Sequence, residues 1–138
     1  MKIRNVSLVP ALAMIALASF VVVPSAHAGE KYQLPVVIYS NSYYTMAEGI
    51  LSDTRNSSDS TSYLSCGLYY NQGQPITGYC SARSATGQTA YCYTTDPPAV
   101  QVIASLHGDS FVWFDVNANS SVCSFVSTEQ SSMYTPKQ

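Results

Sequence analysis

The thiol chemistry of this chain resides in four cysteines, Cys66, Cys80, Cys92 and Cys123, spaced 14, 12 and 31 residues apart. Thiolates in that number could hold zinc, but zinc ligands come in close pairs of the C-x-x-C kind. No such pair is present, and His107 is the one histidine in the later part of the chain. An even count at wide spacing reads instead as two disulfides, provided the chain is exported. The cysteines are therefore assigned to structure. No metal and no cofactor are expected.

Hydrolytic chemistry has few candidates. The run "HGDS" places His107 near Asp109 and Ser110. A nucleophile needs a base within hydrogen-bond reach that is oriented by a third group, and neighbours at a helix end rarely have that geometry. A histidine there serves better as a favourable charge at the helix C-terminus. Asp109 and Asp115 on one strand would stand about 20 Å apart at roughly 3.3 Å per residue. The two carboxylates of a glycosidase are held about 5 to 9.5 Å apart. Asp53, Asn56 and Asp59 supply oxygens that could meet calcium, but their spacing is not the EF-hand pattern, and such stretches are ordinarily loops. Asn56 and Asn119 lie in glycosylation-type triplets, which matter only in a eukaryotic secretory route. No catalytic residue is assigned.

The address is more legible. Lys2 and Arg4 precede an apolar run from Leu8 to Val23, followed by "PSAHA". This has the form of a secretory signal peptide over residues 1–28, cleaved after Ala28. Residues 29–138 then form one small domain, expected to be secreted or periplasmic. It keeps four bases (Lys31, Arg55, Arg83, Lys137) and all eight acids, so its net charge is 4 − 8 = −4. Such a balance is a poor match to nucleic acid or an anionic membrane. No second long apolar run is present to span a membrane.

The elements that must position the cysteines follow from turn chemistry. Taking Ala85-Thr86-Gly87 as a hairpin loop, with Gly87 left-handed, pairs Cys80 with Cys92. Taking Asn71 to Pro75 as the preceding loop pairs Cys66 with Cys80. Three cysteines thus lie in one row of a three-stranded meander. Leu64, Leu68, Ile76, Ala82 and Ala90 share their face. The opposite face carries Tyr63, Tyr69, Thr77, Tyr79, Arg83, Thr89, Tyr91 and Tyr93, an alternation expected of a half-buried antiparallel sheet.

Downstream, Asp96 and Pro97 start a helix over 97–107 that ends at a left-handed Gly108 and lays Val100, Ile103 and Ala104 on the sheet. A hairpin with loop 117–120 follows. It sets Phe114 opposite Cys123 and Val112 opposite Phe125, all four in the core, with Phe111, Trp113 and Asp115 turned outward. Residues 34–40 read as a strand. "TMAEGILSD" reads either as a helix, from its capping-box start, or as an irregular strand, from Gly49. The polar tail after Glu129 is expected to be loose.

"TRNSSDSTSYLSC", "CSARSATGQTAYC" and "GDSFVWF" with Cys123 together resemble a family of small, uncharacterised exported bacterial proteins with four cysteines, over about residues 54–126. The resemblance implies export and cross-linking and carries no activity.

The fold class is therefore α+β: an antiparallel meander, one helix packed on it, a C-terminal hairpin and two disulfides. Bridged α-carbons lie within roughly 7 Å, whereas Cys66 and Cys92 are two strand spacings apart, about 9.6 Å. Two pairings remain, 66–80 with 92–123 or 80–92 with 66–123. The first is preferred because the helix leads directly from the strand of Cys92 into the last hairpin.

The feature with the widest functional reach is aromatic. Tyr63, Tyr69, Tyr79, Tyr91, Tyr93, Phe111 and Trp113 are expected to share one surface able to contact a glycan or a protein. A structural account stands beside it and weighs slightly more. Tyrosine favours strands and pairs across them, and the N-terminal segment could cover the face. Among function classes, an exported non-enzymatic binding module leads. A secreted inhibitor or toxin-like protein comes second, with Arg83-Ser84 as its only reactive-bond candidate, and a small hydrolase third.

Overall fold

The structure, a computed structural model, describes residues 31–134. The signal peptide and the cleavage point after Ala28 lie outside the described residues. Seven strands and two short helices run β1 (Val37–Ser40), β2 (Tyr44–Ile50), α1 (Leu51–Arg55), β3 (Tyr63–Tyr69), β4 (Thr77–Arg83), β5 (Thr89–Thr94), α2 (Pro97–Ala104), β6 (Phe111–Asn117) and β7 (Cys123–Glu129). They form two antiparallel sheets, one ordered β1-β2-β6-β7 and the other β3-β4-β5. The chain leaves the larger sheet after β2, completes the whole meander, and returns through α2 so that β6 fits between β2 and β7.

The meander has the expected register. Cys66 faces Cys80, and Cys80 faces Cys92, with Ala82 opposite Ala90. The loops supply the reason. Gly87 takes φ 86° and Gly73 φ 80°, and the amide of Ser84 donates to the carbonyl of Gln88 at 3.0 Å to close the tighter loop. Leu64, Ala82 and Ala90 are buried, whereas Leu68 and Ile76 are exposed. Those two lie beside or beyond the last β4–β5 pair, Gly78 with Thr94, where the sheet has only two strands.

One core joins the two sheets. Leu64, Cys80, Ala82, Ala90 and Cys92 from the meander pack with Ile38, Ala47, Val112, Phe114 and Val116 from the larger sheet, and Ile103 of α2 closes one side. Ile103 reaches the meander at Gly78, where a β-carbon would stand 2.6 Å from its Cδ1 atom. The disulfides are Cys66–Cys80, within the meander, and Cys92–Cys123, from β5 to β7 and hence from one sheet to the other. Cys80 and Cys92 are fully buried.

Four expectations are corrected. "TMAEGILSD" is neither of the elements proposed for it as a whole. Tyr44–Ile50 is a regular strand between β1 and β6, and the helix is a single turn beginning at Leu51. Gly49 sits in that strand because the backbone of Val36 crosses it closely. Second, α2 ends at Ala104. Ser105 terminates it by donating its hydroxyl to the carbonyl of Val102 at 2.8 Å. Gly108 does not take a left-handed conformation, and Ala104 is exposed.

Third, β7 is shifted. Val112 faces Thr128, Phe114 faces Val126 and Asp115 faces Phe125, yet Val116 faces Cys123. Ser124 is therefore an extra residue, a bulge that breaks the alternation of the strand. It lets Cys123 point into the core while Phe125, two residues later, points outward and is exposed. Fourth, the tail is not loose as far as Tyr134. The amide of Tyr32 donates to the carbonyl of Met133 at 2.9 Å, and Tyr134 is buried.

Two substitutions test this geometry by thermal unfolding. Gly108→Ala meets nothing within 4 Å and should raise stability by about 0.4–1 kcal/mol through the unfolded chain. Gly49→Ala would put a β-carbon 2.9 Å from the α-carbon of Val36 and should lower it by about 1–3 kcal/mol. Removing the bridge between sheets with Cys92→Ala and Cys123→Ala, which opens a 31-residue separation, should cost about 3–4 kcal/mol by chain entropy. Peptide mapping of the unreduced protein should return 66–80 and 92–123 and no free thiol.

Candidate functional site

The outer face of the meander carries the five strand tyrosines, and among the described residues nothing covers it. β1 and β2 complete the other sheet instead of crossing this one. Tyr63, Tyr69, Tyr91 and Tyr93 are between 38% and 50% exposed, values that leave each ring one free side. Tyr79 is half-buried because its ring lies across Gly67 on the neighbouring strand, where a β-carbon would stand 2.8 Å from the phenol oxygen. It also leans on Tyr69, with ring centroids 6.2 Å apart.

Cross-strand register sets the layout. Tyr79 faces Tyr93 on β5, Tyr91 faces Ser81, and Tyr63 faces Arg83. The hydroxyls of Tyr63 and Ser81 lie 3.2 Å apart. Ser65 and Thr89 add exposed hydroxyls, whereas Thr77 is buried. The surface is thus a row of rings separated by hydroxyls. It has one guanidinium, Arg83, at its edge and no carboxylate on its strands.

Phe111 and Trp113 do not join it. They lie on β6, in the other sheet, and face away from the same core on its far side. There Trp113 packs against Phe125 at 5.2 Å between ring centroids, and its indole N–H donates to the Asp115 carboxylate at 2.7 Å. Tyr39 and Tyr44 stand on the same face, 6.1 Å apart. The single aromatic surface expected from strand alternation is two surfaces back to back. Which sheet owns β6 is not written in the alternation of its residues.

The other candidates resolve into structure. Ser110 is fully buried, and its hydroxyl oxygen accepts from the backbone N–H of His107 at 2.9 Å. The run from His107 to Ser110 is a turn whose one hydroxyl is buried. Arg83 is paired on both sides, to Tyr63 and Thr89, and Ser84 is buried. A reactive-bond loop has to offer unpaired, extended backbone to its protease, and this one does not.

Asp53 and Asp59 have separate tasks. Asp53 is buried and accepts from the backbone N–H of Leu34 at 2.9 Å. Asp59 gathers its own loop. Its carboxylate accepts from the hydroxyl and backbone N–H of Ser62, from the backbone of Thr61, and from the hydroxyl of Ser57. The Ser62 hydroxyl, followed by those amides, holds its pKa well below the usual carboxylate range. Among the described residues no three His, Cys, Asp or Glu side chains converge as metal ligands would.

No family model matches this chain, and no curated protein or solved structure matches it.

The Asp59 loop predicts an acid limb. Because its folded pKa lies below its unfolded value of about 3.8, its contribution is complete above that value and is lost as pH falls through the lower, folded one. Asp59→Asn should therefore lower the melting temperature near neutral pH, and the gap to the wild type should close toward about pH 2. Calorimetry across that range checks it.

Proposed function

We propose that this protein is an exported, non-enzymatic binding module, and that its ligand is a neutral glycan held on the tyrosine face of β3-β4-β5. The observation that carries the reading is the open row of Tyr63, Tyr69, Tyr79, Tyr91 and Tyr93 interleaved with serine and threonine hydroxyls on strands without a carboxylate. Two disulfides fit an oxidising compartment outside the cytoplasm, and no helix among the described residues is long and apolar enough to cross a membrane.

Area decides between the two partner classes that such a face could serve. Three strands at about 4.8 Å spacing and seven residues at about 3.3 Å each give a footprint of roughly 300 Å². A stable protein partner needs about 800 Å² per side. A sugar chain needs far less and stacks its C–H faces on the rings, with phenol and hydroxyl groups as donors and acceptors at the ring edges. The lack of carboxylates favours an uncharged chain over a basic one.

Tyr91→Ser is the test, because Tyr91 is half exposed and touches no buried ring. Retention on insoluble neutral polysaccharides should fall by roughly tenfold, about 1.4 kcal/mol, while stability changes by no more than about 1 kcal/mol, the scale of one cross-strand pair. Wild-type protein that fails to bind a panel of neutral polysaccharides, or binds equally well after Tyr91→Ser, would sink the glycan reading. A loss of 3 kcal/mol or more, about the cost of emptying a core site, would show that the ring serves the fold.

A further inference from the structure

The opposite sheet has a pocket of different chemistry, about 330 Å³ in volume, within the range of small-ligand sites. It sits where the two ends of the described chain meet, over the Ile50–Phe111–Glu129 row of the larger sheet. Its aromatic wall is Tyr32, Phe111 and Tyr134. Leu34 and Met133 complete the apolar lining, and the carboxylates are Glu48 and Glu129. Phe111 and Tyr134 stand 6.5 Å apart at 35° between planes, and both line the pocket.

The wall is held from several sides. Tyr32 and Tyr134 form a parallel bridge. The backbone N–H of Ile50 donates to the carbonyl of Leu34 at 2.8 Å. Tyr134 is 8% exposed, and its hydroxyl hydrogen-bonds the Glu129 carboxylate. Burial, with that carboxylate beside it, pushes its phenol up to about 12, so it stays a neutral donor at ordinary pH. No base lines the pocket. Among the described residues, Lys31, next to Tyr32 in sequence, donates to the carbonyl of Ser132 at 3.0 Å.

We propose that this pocket binds a methylated ammonium group of the choline type, independently of the tyrosine face. Ring faces carry negative potential and attract a cation lying within about 6 Å of the centroid. Two carboxylates supply the countercharge. A metal ion would need more converging oxygens than these two side chains and the phenols provide. A bulky cation with an apolar methyl skin satisfies rings, methionine, leucine and carboxylates together. A zwitterion such as glycine betaine is rejected because its own carboxylate would face Glu48 and Glu129.

Choline could arrive free or as a lipid headgroup, and two arms separate these sources. In the first, choline chloride is titrated into the full mature protein at constant ionic strength while backbone amide resonances are followed. Saturable shifts at Phe111, Glu129 and Tyr134 are expected below about 100 mM, with glycine betaine at least roughly tenfold weaker. In the second, vesicles of phosphatidylcholine are sedimented with the protein. Co-sedimentation displaced by choline assigns the headgroup as the source, and shifts with free choline alone assign the solute.

Glu129→Gln should weaken choline about tenfold. Tyr32→Leu, at an exposed rim position, should weaken it roughly threefold or more while leaving the fold intact, so a failure of the first variant to fold leaves the second to decide. No saturable shift, equal binding of betaine, or choline binding unchanged in both variants would overturn the proposal.

Discussion

The molecule is organised by the bridge from Cys92 to Cys123. The inner faces of the two sheets form one core, and the meander, with strands of seven, seven and six residues, gains its stability by burying that apolar face. The bridge holds β5 against β7 and so fixes which faces meet. Tyr93 reinforces it by donating its backbone N–H to the carbonyl of Ser121 at 2.9 Å beside the disulfide. Once those inner faces are joined, the outer faces can only point in opposite directions.

The two outer faces have diverged electrically. The meander side has rings, hydroxyls and one arginine. The larger sheet has rings too, but Glu48, Asp115 and Glu129 stand among them. The described residues hold more acids than bases, yet little of that negative charge lies on the meander's outer face. Neutral polar ligands suit that face, and cationic ones suit the other. The aromatic residues are similar in kind on both sides, and their neighbours make the difference.

The last hairpin shows how strand patterns mislead. "VCSFVST" alternates well enough to place Cys123 and Phe125 on one face. The bulge at Ser124 cancels that inference, because an inserted residue reverses the facing of everything beyond it. Its purpose is readable only in three dimensions. Cys123 has to reach Cys92 on the other sheet, and Phe125 has to cover Trp113. The N-terminal segment misled for another reason. Thr45 and Glu48 form a good capping box, and local propensity alone permits a helix there, but pairing with β1 on one side and β6 on the other overrides it.

Short-range signals were sufficient for the meander. Glycines at 73 and 87 specify their loops, the loops specify register, and register puts the three cysteines in one row. Those steps depend on neighbours a few residues apart, which is why the pairing 66–80 with 92–123 could be reached to within one alternative. Asp96 and Pro97 likewise mark the start of α2 by chemistry confined to one turn. Nothing local states that β6 lies beside β2, 60-odd residues earlier, or that Tyr32 meets Tyr134. Those contacts arise from burying a common core, a property of the whole chain. They separate Trp113 from the tyrosines and bring Tyr32, Glu48, Phe111, Glu129 and Tyr134 into one pocket. The sequence by itself determined the meander, the start of α2, the last hairpin and the presence of two disulfides, and tertiary packing decided the strand at Tyr44–Ile50, the bulge in β7 and which surfaces the strands build, because only the folded core brings distant segments together.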